Sequence, residues 1–159
     1  MNIFYTNKDP LVCAKDHCDK HCVKMILEYA QLLSTAHHEW GSNIPELYKA
    51  THRNHPSAKW ARENTEHYHW LYRLWEALSQ EYTTRYGKVH RSWDRLSTAL
   101  RDSPRGIPNG VFTDPPQCMP NQYKCSDTVQ AYRDYVRLDK EFAVWKYTMT
   151  PEWMKPTRK

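Results

Sequence analysis

The chain has 159 residues, a net charge of +5 and seven Trp, eleven Tyr and three Phe. We expect a single domain over residues 1–159, because a chain of this length can bury about 70% of the surface that its unfolded form exposes. So many aromatic side chains exclude a disordered chain. No apolar run approaches the roughly 18 residues of a membrane span, and no signal-peptide pattern opens the chain, so we expect a soluble protein that is not exported.

Composition favours an all-α, mainly helical fold. Only four Gly are present, and Val and Ile are scarce, which leaves little material for hairpin turns and strands. Leu, Tyr, Trp, Lys, Arg and Glu are plentiful and suit amphipathic helices. We therefore predict a compact single-domain bundle of about four helices with a long proline-rich loop.

The first predicted helix follows a short apolar stretch. Residues 2–7 predict a short strand or an extended arm, and Asp9 with Pro10 is typical of the N-cap and first position of a helix. That helix is predicted from residue 11 to about residue 36. One arc of it is apolar and predicts the core face: Cys18, Cys22, Met25, Tyr29 and Leu32. The five cysteines, an odd number without a C-x-x-C pair, indicate reduced thiols.

A second long helix is predicted after a loop over residues 37–55. Pro56, preceded by His55, is typical of the first turn of a helix, and an apolar stripe continues from there to Tyr86. Gly87 is then a natural stop, because glycine readily adopts the left-handed conformation that ends many helices.

Prolines dominate the following part of the chain. Five of them exclude a regular helix over residues 102–122 and predict a long, ordered surface loop. A shorter helix around Leu96 precedes this loop, and a final helix follows it from about residue 126 to residue 147. Trp153, in the tail, is predicted to stack either on a nucleic-acid base or on the protein itself.

A polar stripe borders the core face of the first predicted helix. Its members recur at i, i+4, i+7 and i+11: His17, His21, Lys24 and Glu28. We take Glu28, His21 and Lys24 as candidate catalytic residues, since a carboxylate beside an imidazole and an ammonium suits acid–base chemistry. His and Cys pairs at i, i+4 could instead bind a metal, but the second ligand pair is missing, so we expect no metal and no cofactor. A solvated helix edge is the remaining interpretation.

Basic side chains gather at two predicted helix boundaries and on the first helix. The free amide groups of a helix start favour an anion, although an ordinary capped helix explains the same residues. Basic residues at a helix end likewise stabilise the helix dipole without any further role. The candidate nucleic-acid contacts are Lys20, Arg53, His55, Lys59, Arg62, Arg85, Lys88 and Arg91.

Three short motifs together resemble a known family. Asp19-Lys20-His21, followed after six residues by Glu28, is similar to the first helix of the phage pyrimidine-dimer DNA glycosylases with AP-lyase activity, the endonuclease V type. The turn at residues 84–87 resembles that family's basic-aromatic-glycine turn, and residues 151–155 resemble its Pro-x-Trp-x-Lys tail. The opening MNIF and the HCDKH segment also resemble small proteins of tailed phages, which implies a phage origin and a location in the cytoplasm of the infected host cell.

The resemblance implies a role for each matched residue. Glu28 would be the catalytic carboxylate that assists base loss and the turnover of a Schiff base, with His21 as its neighbour at the lesion. The family's nucleophile is the α-amine exposed after its initiator Met is removed. Here the bulky Asn2 normally leaves Met1 in place, so the amine of Met1, Lys20 or Lys24 would act. The implied partner is double-stranded DNA, bent or with an extruded nucleotide.

Two other functions fit the same residues. One is an enzyme that modifies a base or nucleotide without excising it, through the Glu28 and His21 pocket. The other is a non-catalytic module that binds nucleic acid or a host protein. Excision predicts a covalent adduct with DNA, modification predicts altered nucleoside masses, and a binding module predicts salt-dependent binding without chemistry.

Overall fold

The computed structural model describes residues 1–155. Within that range the chain forms α1 (Pro10–Asp16), α2 (Asp19–Glu39), α3 (Pro56–Ala61), α4 (Thr65–Tyr86), α5 (Arg91–Leu96) and α6 (Thr128–Asp139), with 3₁₀ turns at Asn121–Tyr123 and Glu152–Met154. Four of the α-helices have seven or more residues, and this described part contains no strand. The predicted all-α class is confirmed. None of the described helices is long and apolar enough to cross a membrane.

The core lies between α1, α2 and α4. Trp75, on α4, is fully buried, and its indole N–H donates to the Ile26 carbonyl of α2 over 3.0 Å. The predicted apolar arc is confirmed, since all five of its members are buried: Cys18, Cys22, Met25, Tyr29 and Leu32. Burial of a large apolar side chain contributes about 1.5–3 kcal/mol, so this packing fixes α2 and leaves its outer face for other contacts.

The residues before α1 form an extended arm, one of the two predicted alternatives. Ile3, Phe4 and Tyr5 are buried in the core. Buried backbone groups need hydrogen-bond partners, and here side chains supply them. The Arg133 guanidinium donates to the Thr6 carbonyl over 2.8 Å, so α6 holds the arm from one side.

The predicted continuous helix over residues 11–36 is wrong, because the chain breaks between α1 and α2. His17 and Cys18 have extended backbone angles, and the His17 ring turns into the core. Asp19 then begins α2, where a carboxylate in the first turn stabilises the helix dipole. The apolar spacing continues across the break, so periodicity alone does not reveal it. At its other end, α2 extends to Glu39.

The long helix predicted from Pro56 to Tyr86 is also two helices. α3 ends at Ala61, and α4 begins at Thr65 because the Asn64 side chain caps it by accepting the His67 N–H over 2.9 Å. The predicted stop is confirmed: Gly87 follows α4 with a left-handed φ of 69°.

The final helix is shorter than predicted. It ends at Asp139 rather than near residue 147, because the following backbone binds the start of α2. The Asp19 N–H donates to the Val144 carbonyl over 2.9 Å, and the Asp19 carboxylate accepts the Lys146 N–H over 2.7 Å. Residues 102–122 form the predicted irregular loop, apart from the 3₁₀ turn that begins at Asn121.

Candidate functional site

Glu28 lies on the outer face of α2, with 20% of its side chain exposed. One turn earlier on the same helix, the Lys24 ammonium lies 3.9 Å from the Glu28 carboxylate, and the Lys24 side chain is 67% exposed. Exposed pairs of this kind stabilise a helix by only about 0.3–0.5 kcal/mol. Both groups can therefore exchange this partner for a ligand at low cost.

His21 lies in the core rather than beside the Glu28 carboxylate at the surface. Its ring stacks on Phe4 with the ring centroids 4.0 Å apart and meets Phe142 edge-on. Burial, together with the nearby His17 ring, lowers the pKa of His21 to about 3. The neutral ring of His21 supports the amino-terminal arm, so the predicted polar stripe is divided between the interior and the surface.

A buried chain of hydrogen bonds joins the arm to α2 and α1. The Phe4 N–H donates to the Tyr29 hydroxyl over 3.2 Å, and that hydroxyl donates to His17 Nε2 over 2.7 Å. His17 Nδ1–H donates in turn to the Cys13 carbonyl over 2.7 Å, which fixes the tautomer because a carbonyl can only accept. Tyr29 follows Glu28 in sequence, so these hydrogen bonds fix the arm close to the Glu28 backbone.

The amino terminus lies near enough to the turn that precedes α3 for its charge to act on His55. Burial is the main cause that lowers the pKa of His55, and the positive charge of the Met1 amine adds to it. His55 caps α3, since its Nδ1 accepts the Ser57 N–H over 3.1 Å. In the same turn His52 has a φ of 46°, a left-handed conformation that is uncommon outside glycine. Backbone strain of this kind clusters at functional sites.

This turn is attached to the same side of α2 as Glu28. Thr35 Oγ1 accepts the Thr51 N–H over 3.1 Å and donates to the Thr51 carbonyl over 3.3 Å. Residues seven apart on an α-helix face the same side, about 10 Å apart along the axis. Glu28, the turn at residues 51–55 and the Met1 amine therefore share one side of the molecule.

Most of the predicted basic contacts are exposed to solvent. The Lys20 ammonium lies over the Phe142 ring, 4.5 Å from its centroid, and Arg53 pairs with Glu39 over 3.2 Å. α5 packs against α2, and the His90 ring at the start of α5 lies close to the Val23 backbone, next to Lys24. The exposed basic residues are Lys20, Lys24, Arg53, Lys59, Lys88 and Arg91, while His55 and Arg62 are half-buried.

Arg85 is enclosed by protein. Its guanidinium donates to the carbonyls of Lys15 and His17 over 3.1 and 2.8 Å, and it pairs with Glu81 and Asp19 over 3.1 and 3.4 Å. The side chain is fully buried. A contact with DNA would require Arg85 to leave these partners. Arg85 therefore serves to join α4 to α1 and α2 rather than to lie on an exposed DNA-binding surface.

Trp153 packs on the protein, which decides between its two predicted positions. Its indole N–H donates to Asp16 Oδ2 over 3.0 Å, and its ring meets Trp145 edge-on. Among residues 1–155 no three His, Cys, Asp or Glu side chains lie close enough together to hold a metal ion. All five cysteines are free thiols.

The family model of the pyrimidine dimer DNA glycosylases matches residues 1–95. The chain belongs to this family. The match spans α1 to α4 and most of α5, so it includes the amino-terminal arm, Glu28 and the turn at residues 51–55. The proline-rich loop and α6 lie beyond it. No curated protein and no solved structure matches the chain.

The sequence did not reveal the roles of Tyr29 and Trp40, which lie in two different parts of the structure. Tyr29 was placed in the core by its spacing, but nothing in the pattern indicates that its hydroxyl holds the arm. Trp40 falls just after α2 and is 40% exposed. The one sequence signal for Trp40 is that a large aromatic residue stands next to Gly41, outside any apolar stripe.

Proposed function

We propose that this protein binds double-stranded DNA and excises a damaged or modified pyrimidine base, with Glu28 as the catalytic carboxylate. The observation that carries the proposal is the position of Glu28: a partly exposed carboxylate on α2, on the same side as the amino terminus, in the part of the chain that matches the glycosylase family. Family membership supports the reaction class, and the partly exposed position of Glu28 supports its proposed role.

The proposed reaction needs an amine and a carboxylate at one sugar. The amine nitrogen attacks C1′ of the deoxyribose, the bond from C1′ to the base breaks, and the base leaves with a proton. The C1′–O4′ bond of the sugar then breaks and O4′ takes a proton, which leaves a Schiff base between C1′ and the amine nitrogen. This Schiff base loses a proton from C2′, the bond between C3′ and the phosphate oxygen breaks, and the strand is cut as the phosphate leaves. Glu28 assists the loss of the base and takes the C2′ proton.

Three amines are candidates for the nucleophile. The Lys24 ammonium lies 3.9 Å from the Glu28 carboxylate, and the Met1 amine lies close enough to His55 for its charge to lower the pKa of that ring. Lys20 contacts the Phe142 ring over 4.5 Å and is the third possibility. The proposal requires that the covalent bond form at one of these three positions.

The proposed DNA interface surrounds Glu28. Lys20, Lys24, Lys88 and Arg91 supply positive charge around the amino-terminal half of α2, and Arg53, with His55 beside it, lies on the turn attached to Thr35. Basic side chains on both sides of a carboxylate can hold the two phosphate backbones while the sugar between them is approached.

Borohydride trapping tests the proposal. Ultraviolet-irradiated duplex and duplex with an abasic site are incubated with the protein and sodium borohydride, which reduces a Schiff base to a stable adduct. We expect an adduct and strand scission with the wild type, and at least a hundredfold slower scission for Glu28→Gln. Peptide mapping of the adduct assigns the amine to Met1, Lys20 or Lys24.

Glu46→Gln is the matched control, because Glu46 is an exposed carboxylate on the loop after α2. It should keep wild-type scission. The absence of both an adduct and scission on either duplex would contradict excision. In that event, altered nucleoside masses in treated DNA would indicate a base-modifying enzyme, and salt-dependent binding that Glu28→Gln leaves unchanged would indicate a binding module.

A further inference from the structure

A concave surface lies at the carboxyl end of α2. A cleft of about 700 Å³ opens there between α2, α3 and the proline-rich loop. Its lining includes three carboxylates, two basic side chains and an indole: Glu39, Glu63, Asp114, Lys59, Arg62 and Trp40. Glu39 follows Glu28 by eleven residues, which corresponds to about 16 Å along a helix axis. The cleft is therefore separate from the surface around Glu28.

Hydrogen bonds hold the walls of this cleft in place. The Trp60 indole N–H donates to the Thr113 carbonyl over 3.1 Å, and His67 Nε2 accepts the Thr113 N–H over 3.0 Å. On the opposite wall the Trp40 indole N–H donates to the Arg62 carbonyl over 2.9 Å. The wall that contains Asp114 lies beyond residue 95, outside the family match. This cleft is thus a preformed feature to which the unmatched part of the chain contributes.

The cationic groups in the cleft are short of partners. Arg62 Nη1 is buried and has no hydrogen-bond partner among residues 1–155. Within the same range, neither Lys59 nor Arg62 has a carboxylate within 4.0 Å. A buried donor without an acceptor is unfavourable, so a ligand that presents an acceptor to the Arg62 guanidinium would be stabilised there.

The carboxylates in the cleft have other contacts. Asp114 accepts the Tyr5 hydroxyl over 2.9 Å, and Glu39 pairs with Arg53 over 3.2 Å. Glu63, on the rim, is 65% exposed and can accept from an amino group of a ligand. Trp40, 40% exposed, adds an aromatic surface beside them. The cleft thus offers the Trp40 ring for stacking and the Glu63 carboxylate as an acceptor. It also offers the guanidinium of Arg62 as a donor and the ammonium of Lys59.

We infer that this cleft binds one nucleotide, with its base against Trp40 and its phosphate at Lys59. A nucleobase has the flat face that stacks on an indole and the ring acceptors that Arg62 requires, and a phosphate supplies the negative charge that Lys59 lacks. An unpaired nucleotide of a DNA strand and a free mononucleotide share this chemistry. The inference does not depend on excision at Glu28, and each can fail without the other.

Calorimetric titration of the full chain tests the inference. The probes are dAMP, dTMP and, as a ligand without a base, deoxyribose 5-phosphate. We expect both nucleotides to bind at least tenfold more tightly than the sugar phosphate. Trp40→Ala and Arg62→Gln should each weaken nucleotide binding about tenfold, a typical effect of removing one stacking contact or one charged donor.

Three further variants make the titration decisive. Trp40→Phe keeps an aromatic face and should bind within about threefold of the wild type. Arg73→Gln removes an exposed arginine on α4 and should leave binding unchanged. Glu28→Gln should also leave it unchanged, which separates this inference from the excision proposal.

A trinucleotide distinguishes the two sources of the ligand. It should bind at least tenfold more tightly than dTMP if the cleft accepts a DNA strand, and no more tightly if the ligand is a free nucleotide. Either result supports the inference when Trp40→Ala weakens binding. No measurable nucleotide binding, equal binding of the sugar phosphate, or full affinity in the Trp40→Ala variant would overturn it.

Discussion

Tyr29 and His17 hold the amino-terminal arm through a chain of hydrogen bonds in which each donor has one acceptor. The Tyr29 hydroxyl is both an acceptor for the Phe4 N–H and a donor to His17 Nε2. Both side chains are buried, so water does not replace a lost partner. This one hydroxyl group therefore adds to the packing and to the Arg133 bond that hold the arm in position.

Removal of that hydroxyl tests this dependence. Tyr29→Phe leaves a buried N–H and a buried ring nitrogen without partners, so we expect the free energy of unfolding to fall by about 1–3 kcal/mol. Urea denaturation measures this change. Tyr123→Phe, which removes an exposed hydroxyl 3.4 Å from Asp139, should cost less than about 0.5 kcal/mol. Equal stability of the Tyr29→Phe variant and the wild type would contradict the role given to these hydrogen bonds.

The buried histidines make stability depend on pH. Burial lowers the pKa of His17 to about 4 and that of His21 to about 3, from 6.5 in the unfolded chain. Between about pH 4 and 6.5 the unfolded chain therefore binds more protons than the folded one. The free energy of unfolding should rise with pH through this window, by up to about 1.4 kcal/mol per pH unit for each group, and level off above it.

Urea denaturation at several values between pH 5 and pH 7 measures that slope. His17→Gln should flatten it, whatever its effect on absolute stability, because one titrating group is lost. A variant slope as steep as that of the wild type would show that His17 is not held neutral in the folded chain.

At the scale of the helices, one ion-paired arginine joins three of them. Arg85, in the last turn of α4, binds Glu81 in its own helix, Asp19 at the start of α2 and the carbonyls of residues 15 and 17 at the end of α1. Asp19 also holds the segment around Lys146. The helix break at His17 and Cys18 is therefore stabilised by charge as well as by packing.

Loss of this guanidinium should be costly. Arg85→Met leaves two carboxylates and two carbonyls without their donor, and we expect about 3–5 kcal/mol of destabilisation. Thermal or urea denaturation measures the loss. Arg73→Met, at an exposed position on the same helix, is the matched control and should change stability by less than about 0.5 kcal/mol. A small effect of Arg85→Met would mean that water reaches the freed carboxylates.

The same element shows where sequence patterns succeed and where they fail. Gly87 was predicted correctly because a left-handed helix stop has a local signature. The break before α2 was not predicted, because it depends on Arg85, which lies more than sixty residues away. The length of α6 was overestimated for a similar reason, because the contact of Asp19 with the segment around Lys146 joins distant parts of the chain.

For the whole molecule, the class of fold could be predicted from composition, and the family from three short motifs on α2, at the end of α4 and in the tail. The three-dimensional site could not be predicted. Helical periodicity placed His21 beside Glu28, whereas the arm covers His21 and leaves Glu28 at the surface. The cleft beside Trp40 combines residues near positions 40, 60 and 114. No local pattern carries that information.

The basic residues around α2 should give salt-dependent binding of duplex DNA. The logarithm of the association constant falls linearly with the logarithm of the salt concentration, with a slope that changes by about 0.9 for each phosphate contact. Lys88→Ala and Arg91→Ala should each reduce that slope by about one contact, and Arg73→Ala should not. Fluorescence anisotropy with a labelled duplex measures the slope. Identical slopes for all three variants would place the DNA elsewhere on the molecule.

The buried arm at residues 3–5 has a practical consequence for anyone preparing this protein. A purification tag fused ahead of Met1 would begin near His55, on the side of the molecule that carries Glu28. Only two residues would separate the tag from the buried backbone that starts at Ile3. Such a fusion would be expected to fold and to pass stability assays, and it would still obstruct the proposed DNA interface. A negative enzymatic result would be informative only with protein that carries its tag at the carboxyl end or from which the tag has been removed completely.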